Sequence, residues 1–144
     1  MSDYLQEEVD LGASGYLGEV TQRWKTILSG EFHASGVPLN AFTPALASTL
    51  LVKAGAGMIF GFAALNTGTA QYLQLHDTVT VPGSGAAPVA VWAAADGSTN
   101  PQNINVSWIF PGRFFQRGCW LVNSTTAATY TAGSANCFFD VQYI

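Results

Sequence analysis

The chain has 144 residues, nearly half of them apolar, with fourteen charged side chains and a net charge of −4. That length fits one domain, and the apolar content excludes a chain disordered by composition. No cluster of Lys and Arg is present to neutralise phosphates, which argues against direct nucleic-acid contact, and the acidic start MSDYLQEEVD lacks the apolar run of a secretory signal.

Residues 1–14 are acidic and irregular. From Gly15 to Ser29, Tyr16, Leu17, Val20, Trp24, Ile27 and Leu28 recur at the spacing of one helical face. The segment reads equally as a short amphipathic helix or as an extended arm with aromatic anchors. Residues 30–47 hold Gly30, Gly36, Pro38 and Pro44 and are expected as a linker, or as extended chain laid along the domain, and not as a helix. The domain boundary is placed there, with an arm and linker over 1–47 and a folded domain over 48–144.

From Ser48 onward, β-branched and aromatic runs alternate with turn clusters. Strands are expected at 48–53, 57–65, 70–76, 79–81, 88–95, 104–110, 118–124, 128–131 and 135–144, with breaks at KAGAG, NTGT, PGSGA, DGSTNPQ, PGR, NSTT and AGSA. Leu46 to Leu65 is apolar enough to suggest a membrane span. Lys53 near its middle costs about 2.5–3.5 kcal/mol in a bilayer, and two strands around the A-G-A-G turn fit better. Strands every 8–15 residues with no helix between them predict an all-β, antiparallel sandwich of jelly-roll type. In the last strand, Cys137, Phe139, Val141 and Tyr143 share one face, expected in the core. Phe138, Asp140, Gln142 and Ile144 share the other. A buried Asp140 would need a cation, and Arg113 or Arg117 is the candidate partner for a structural ion pair.

Charge is spread unevenly along this chain. Nine of the fourteen charged residues lie in 1–53, leaving Asp77, Asp96, Arg113, Arg117 and Asp140 for the 91 residues that follow. A free monomer carries charge over roughly a quarter or more of its surface. Here Asn, Gln, Ser, Thr and small apolar residues take that place, and a surface so built tolerates being covered.

Residues for chemistry are few. His33 and His76 are the only imidazoles, and no G-x-S-x-G, C-x-x-C or H-x-x-x-H is present. His76 is read as a hydrogen-bonding residue at the end of a strand whose Tyr72, Gln74 and His76 face solvent or a partner. Asp96-Gly-Ser-Thr-Asn100 reads as an ordinary turn, Trp92 and Trp108 as core or interface, and Cys119 and Cys137 as reduced, buried thiols, with a disulfide between them as the alternative. No catalytic residue, cofactor or metal is expected.

The C-terminal two-thirds resembles a family of small virion proteins of tailed double-stranded DNA bacteriophages. The resemblance rests on G-x-I-F-G-F-x-x-x-N at 57–66, AQYLQLHD at 70–77, APVAV at 87–91, GRFFQRG at 112–118, NSTT at 123–126 and ANCFFDVQYI at 135–144, in that order and spacing. It implies a jelly-roll cement or decoration subunit on the capsid surface of the virion, made in the host cytoplasm, that is non-enzymatic and ties major capsid proteins together. The partners implied are major capsid protein and copies of the chain itself, with no membrane. Related sandwich domains also occur in tails, so a receptor- or carbohydrate-binding module is the rival expectation. Residues 1–47 lie outside the resemblance. From their own composition, Tyr4, Leu5, Tyr16, Trp24, Ile27 and Phe32 are expected to anchor the arm on neighbouring capsid subunits.

Overall fold

Short apolar runs broken by Gly, Pro and Asn become nine strands over the residues that the computed structural model describes, 38–108 and 112–144, with no helix among them. The strands are β1 (Leu39–Phe42), β2 (Thr49–Ala54), β3 (Gly57–Asn66), β4 (Gln71–Asp77), β5 (Ala90–Ala94), β6 (Gln102–Ser107), β7 (Arg113–Phe115), β8 (Gly118–Ser124) and β9 (Cys137–Tyr143). The helix or arm expected over 15–29 lies outside the described residues.

Four segments differ from the expectation. Leu39–Phe42, inside the stretch expected as linker or extended chain, pairs with β9 from Leu39–Tyr143 to Phe42–Asp140, so the compact unit begins at Pro38. Arg113–Phe115 forms β7 against Gly57–Ile59, beginning on the last residue of the expected PGR break. Residues 79–81 form no strand, because β4 ends at Asp77 and Pro82 lacks the N–H that a continuing ladder requires. Residues 128–131 belong to a loop whose carbonyls are taken by side chains of sheet residues, leaving one isolated bridge between Ser124 and Ala132.

Two antiparallel sheets result. Sheet A has the order β1-β9-β3-β6, with β7 beside the first part of β3, and sheet B has the order β2-β8-β4-β5. With β7 set aside, the eight strands nest as two Greek keys, which is the jelly-roll arrangement. The chain passes from sheet B to sheet A through Gly55 and Ala56. Gly55 has φ +104°, a conformation that a residue with a Cβ rarely adopts.

The core lies between the sheets. Ile59, Leu73, Leu121 and Val141 are fully buried, and each such side chain contributes roughly 1.5–3 kcal/mol relative to exposure. β9 alternates as its sequence demands: Cys137, Phe139 and Val141 are buried, while Phe138, Asp140 and Gln142 are exposed.

One end of the sandwich is closed by amides. Asn66 Nδ2 donates to the carbonyls of Gly68, Thr69 and Ala95, and its Oδ1 accepts from Gly68 N–H and Gln71 Nε2. Asn123 Nδ2 and Gln71 Nε2 both reach Asn136 Oδ1. Most buried polar atoms here are thus satisfied by neutral groups, without the desolvation cost of buried ion pairs, although Asn123 Oδ1 and Trp120 Nε1 find no partner among the described residues. Cys119 and Cys137 are free and fully buried. Burial pushes their thiols up to about 12 and about 11, so both stay protonated at neutral pH.

Candidate binding surface

The two sheets treat their outer faces differently. On sheet B, the loop after β8 folds back over the sheet, and Gln74 Nε2 donates to the carbonyls of Thr126, Ala127 and Thr129 at 2.6–3.1 Å. Ser124 Oγ donates to Thr126 and Thr129. Tyr130 stands edge-on to His76 with ring centroids 5.8 Å apart. Gln74, Val122 and His76 therefore lie buried, although the strand alternation directs them outward. The expectation that Gln74 and His76 meet solvent or a partner is corrected: the chain's own loop is what they meet. Burial lowers the His76 pKa, and its Nε2 lies 3.1 Å from Gln74 Oε1. Among the described residues, no nucleophile is a hydrogen-bond partner of His76.

Among the described residues, sheet A is bare by comparison. Its register places Asn40, Gln142, Gly61 and Ser107 in one outward row, Phe42, Asp140, Ala63 and Asn105 in the next, and Phe138, Leu65 and Asn103 in a third. Gly61 and Ala63 leave a low floor along the central strand. A Cβ at position 61 would stand 2.6 Å from the Val106 carbonyl, so only glycine allows β6 to approach there. Two hollows of about 280 and 300 Å³ flank Asp140 on this floor. One is rimmed by Asn105, Ser107 and Gln142, the other by Phe42, Leu65 and Phe138. Phe42 is 60% exposed, and Asp140 is the only charge in the three rows.

The ion pair expected at Asp140 is not formed. Asp140 is exposed and needs no buried counter-charge, the Arg113 guanidinium donates to the Val89 carbonyl, and no salt bridge joins Asp140 to either arginine among the described residues. The carboxylate that organises the GRFFQRG turn is Asp77. It accepts the backbone N–H groups of Gln116 at 2.9 Å, Arg117 at 2.7 Å and Gly118 at 3.3 Å. Desolvation alone would raise its pKa, but these three donors and the nearby Arg117 charge hold it below the usual carboxylate value. The sequence offered no spacing signal for this contact, which spans about forty residues.

Asp96 closes its own turn, accepting from Ser98 N–H and Oγ. Trp92 and Trp108 pack against the core with Phe62, at centroid distances of 4.9 Å for Phe62–Trp92 and 5.8 Å for Trp92–Trp108. Both are half-buried, as is Trp120, so none is an open stacking platform. No group of three His, Cys, Asp or Glu side chains among the described residues is placed to hold a metal ion. The expected anchors Tyr4, Leu5, Tyr16, Trp24, Ile27 and Phe32 lie outside the described residues.

Apolar side chains also stand exposed along the strands that end the sheets. Leu39 and Phe42 do so on β1, Leu51 on β2, Val91 on β5 with Val89 just before it, and Phe114 on β7. From Pro38 to Ile144 only six residues are charged, Lys53 among them, so little electrostatic repulsion guards these positions. Comparison with protein-family models, curated proteins and solved structures finds no match to this chain.

Proposed function

We propose that the protein is a capsid cement or decoration subunit of a tailed bacteriophage, a non-enzymatic virion component that bridges major capsid proteins and associates with copies of itself. The observation that carries this reading is the outer face of sheet A, a shallow, almost uncharged trough with exposed phenylalanines, built on a jelly roll whose other outer face is covered over β4 and β8 by its own loop. Such a trough gains by exclusion from water, and burying Phe42 and Phe138 on a partner would each contribute on the order of 1 kcal/mol or more. The acidic, aromatic segment 1–37 supplies a second point of attachment to neighbouring subunits. The protein's work is mechanical, adding buried interface to the shell.

The tail-associated carbohydrate-binding reading draws on the polar rim of Asn105, Ser107, Gln142 and Asp140. It is disfavoured because Trp92, Trp108 and Trp120 are half-buried, so that among the described residues the rim has no indole platform.

Co-sedimentation with purified heads lacking the protein tests the proposal. The full chain is expected to pellet with heads at a fixed ratio, and a chain lacking residues 1–30 is expected to fold and stay in the supernatant. Failure of the full chain to bind would refute the capsid role, and retained binding of the truncated chain would refute the arm.

A further inference from the structure

The strands that end the sheets are not equally protected. β2 carries Lys53 and a bulge at Val52, both devices that discourage a further strand from pairing. β5, Ala90-Val-Trp-Ala-Ala94, has neither charge nor proline, and among the described residues only β4 pairs with it. Along its outer face run Val89 at 44% exposure, Val91 at 42% and the exposed Ala93. Among the described residues, the guanidinium of Arg113 binds the Val89 carbonyl just before the strand begins.

We propose that β5 pairs antiparallel with β5 of a second copy, joining two B sheets into one eight-stranded sheet. The occupant is argued from self-complementarity. A two-fold axis at Trp92 uses all five residues of the strand and sets Ala90 opposite the other copy's Ala94 and Val91 opposite its Ala93. Every facing pair is small or apolar, and no like charges meet. For a chain of net charge −4, self-association is least opposed where charge is absent, and β5 is such a place. β6 is also uncharged, but the outward Asn103, Asn105 and Ser107 give it a polar face where β5 presents Val91 and Ala93. The backbone ladder supplies the affinity and the valine row the water-excluded seam.

This pairing does not depend on the capsid reading. A dimer that ignores heads would remove that reading and leave this one standing, and a monomer that binds heads would do the reverse.

Sedimentation velocity on the full chain, with targeted cross-linking, tests it. The native chain is expected to dimerise with rising concentration, and Val91→Lys to raise the dissociation constant about tenfold or more by placing an ammonium in the seam. Should Val91→Lys fail to fold, the single variants Val91→Cys and Ala93→Cys decide: their mixture is expected to form disulfide-linked dimers under mild oxidation faster than either alone. Cys119 and Cys137 are buried and do not compete. A native chain that stays monomeric, a folded Val91→Lys that stays dimeric, or a mixture that cross-links no faster than the single variants would overturn the proposal.

Discussion

The outer faces of the two sheets are built from the same alternating pattern and meet different ends. Sheet B's outward residues Gln74, Val122 and His76 are sealed beneath the loop after β8, with Gln74 bonded to three loop carbonyls. Sheet A's outward residues Phe42, Phe138, Asp140 and Asn105 have no such cover from the described residues. The covered part of sheet B serves the chain's own stability. Sheet A's face is left open by the described residues, and substitutions at the two places should therefore separate stability from binding.

The largest loss is expected from Gln74→Leu, which removes the amide donor shared by three loop carbonyls, strips the Ala127 carbonyl of its side-chain donor and takes the Oε1 partner from His76 Nε2. Urea unfolding should show a loss of about 3 kcal/mol. A loss under about 1 kcal/mol would mean that the loop is not held by this amide. Val122→Ala, on the same covered face, removes two buried methyl groups and should cost about 2 kcal/mol.

Acidification discriminates the faces without mutation. Burial lowers the His76 pKa, so the unfolded chain takes up the proton more readily than the folded one. The stability that neutral His76 gives is complete above its unfolded pKa and is lost as pH falls through the lowered folded value. Thermal unfolding midpoints of the native chain should fall across that window, and His76→Gln should flatten the fall. An unchanged slope would show that the imidazole is not sealed. Asp77 acts lower on the scale. Its depressed pKa gives stability that is complete above the ordinary carboxylate range and lost as pH falls through the depressed value.

The smallest effects on stability belong to sheet A. Phe138→Ser and Asp140→Asn should shift unfolding by no more than about 0.5 kcal/mol, as exposed substitutions do. The same changes should weaken attachment to heads. A large loss of stability from Phe138→Ser would show that this face is already part of a packed interior.

The sequence carried the fold where alternation was strict. The inward row of β9 was legible residue by residue, and the switch at Gly55 was marked by its glycines. β1 was not legible as a strand, because four residues between Pro38 and Pro44 have too few alternations to separate a strand from extended chain. β7 is three residues long and lies between two glycines, so turn residues masked it. The outward direction of Gln74 and His76 was readable, but their covering was not, since it depends on where a distant loop folds back. The Asp140 ion pair failed for a related reason: composition reveals that charges are scarce, and only the register decides which are near one another. Asp77, at the end of a strand, proved to be the organising carboxylate.

A density map of the whole particle that carries this protein tests the central claim most directly. The account predicts the jelly roll on the head surface, with the Asp140 face of sheet A buried against major capsid subunits. A position on the tail, or on the head with that face open to solvent, would contradict it.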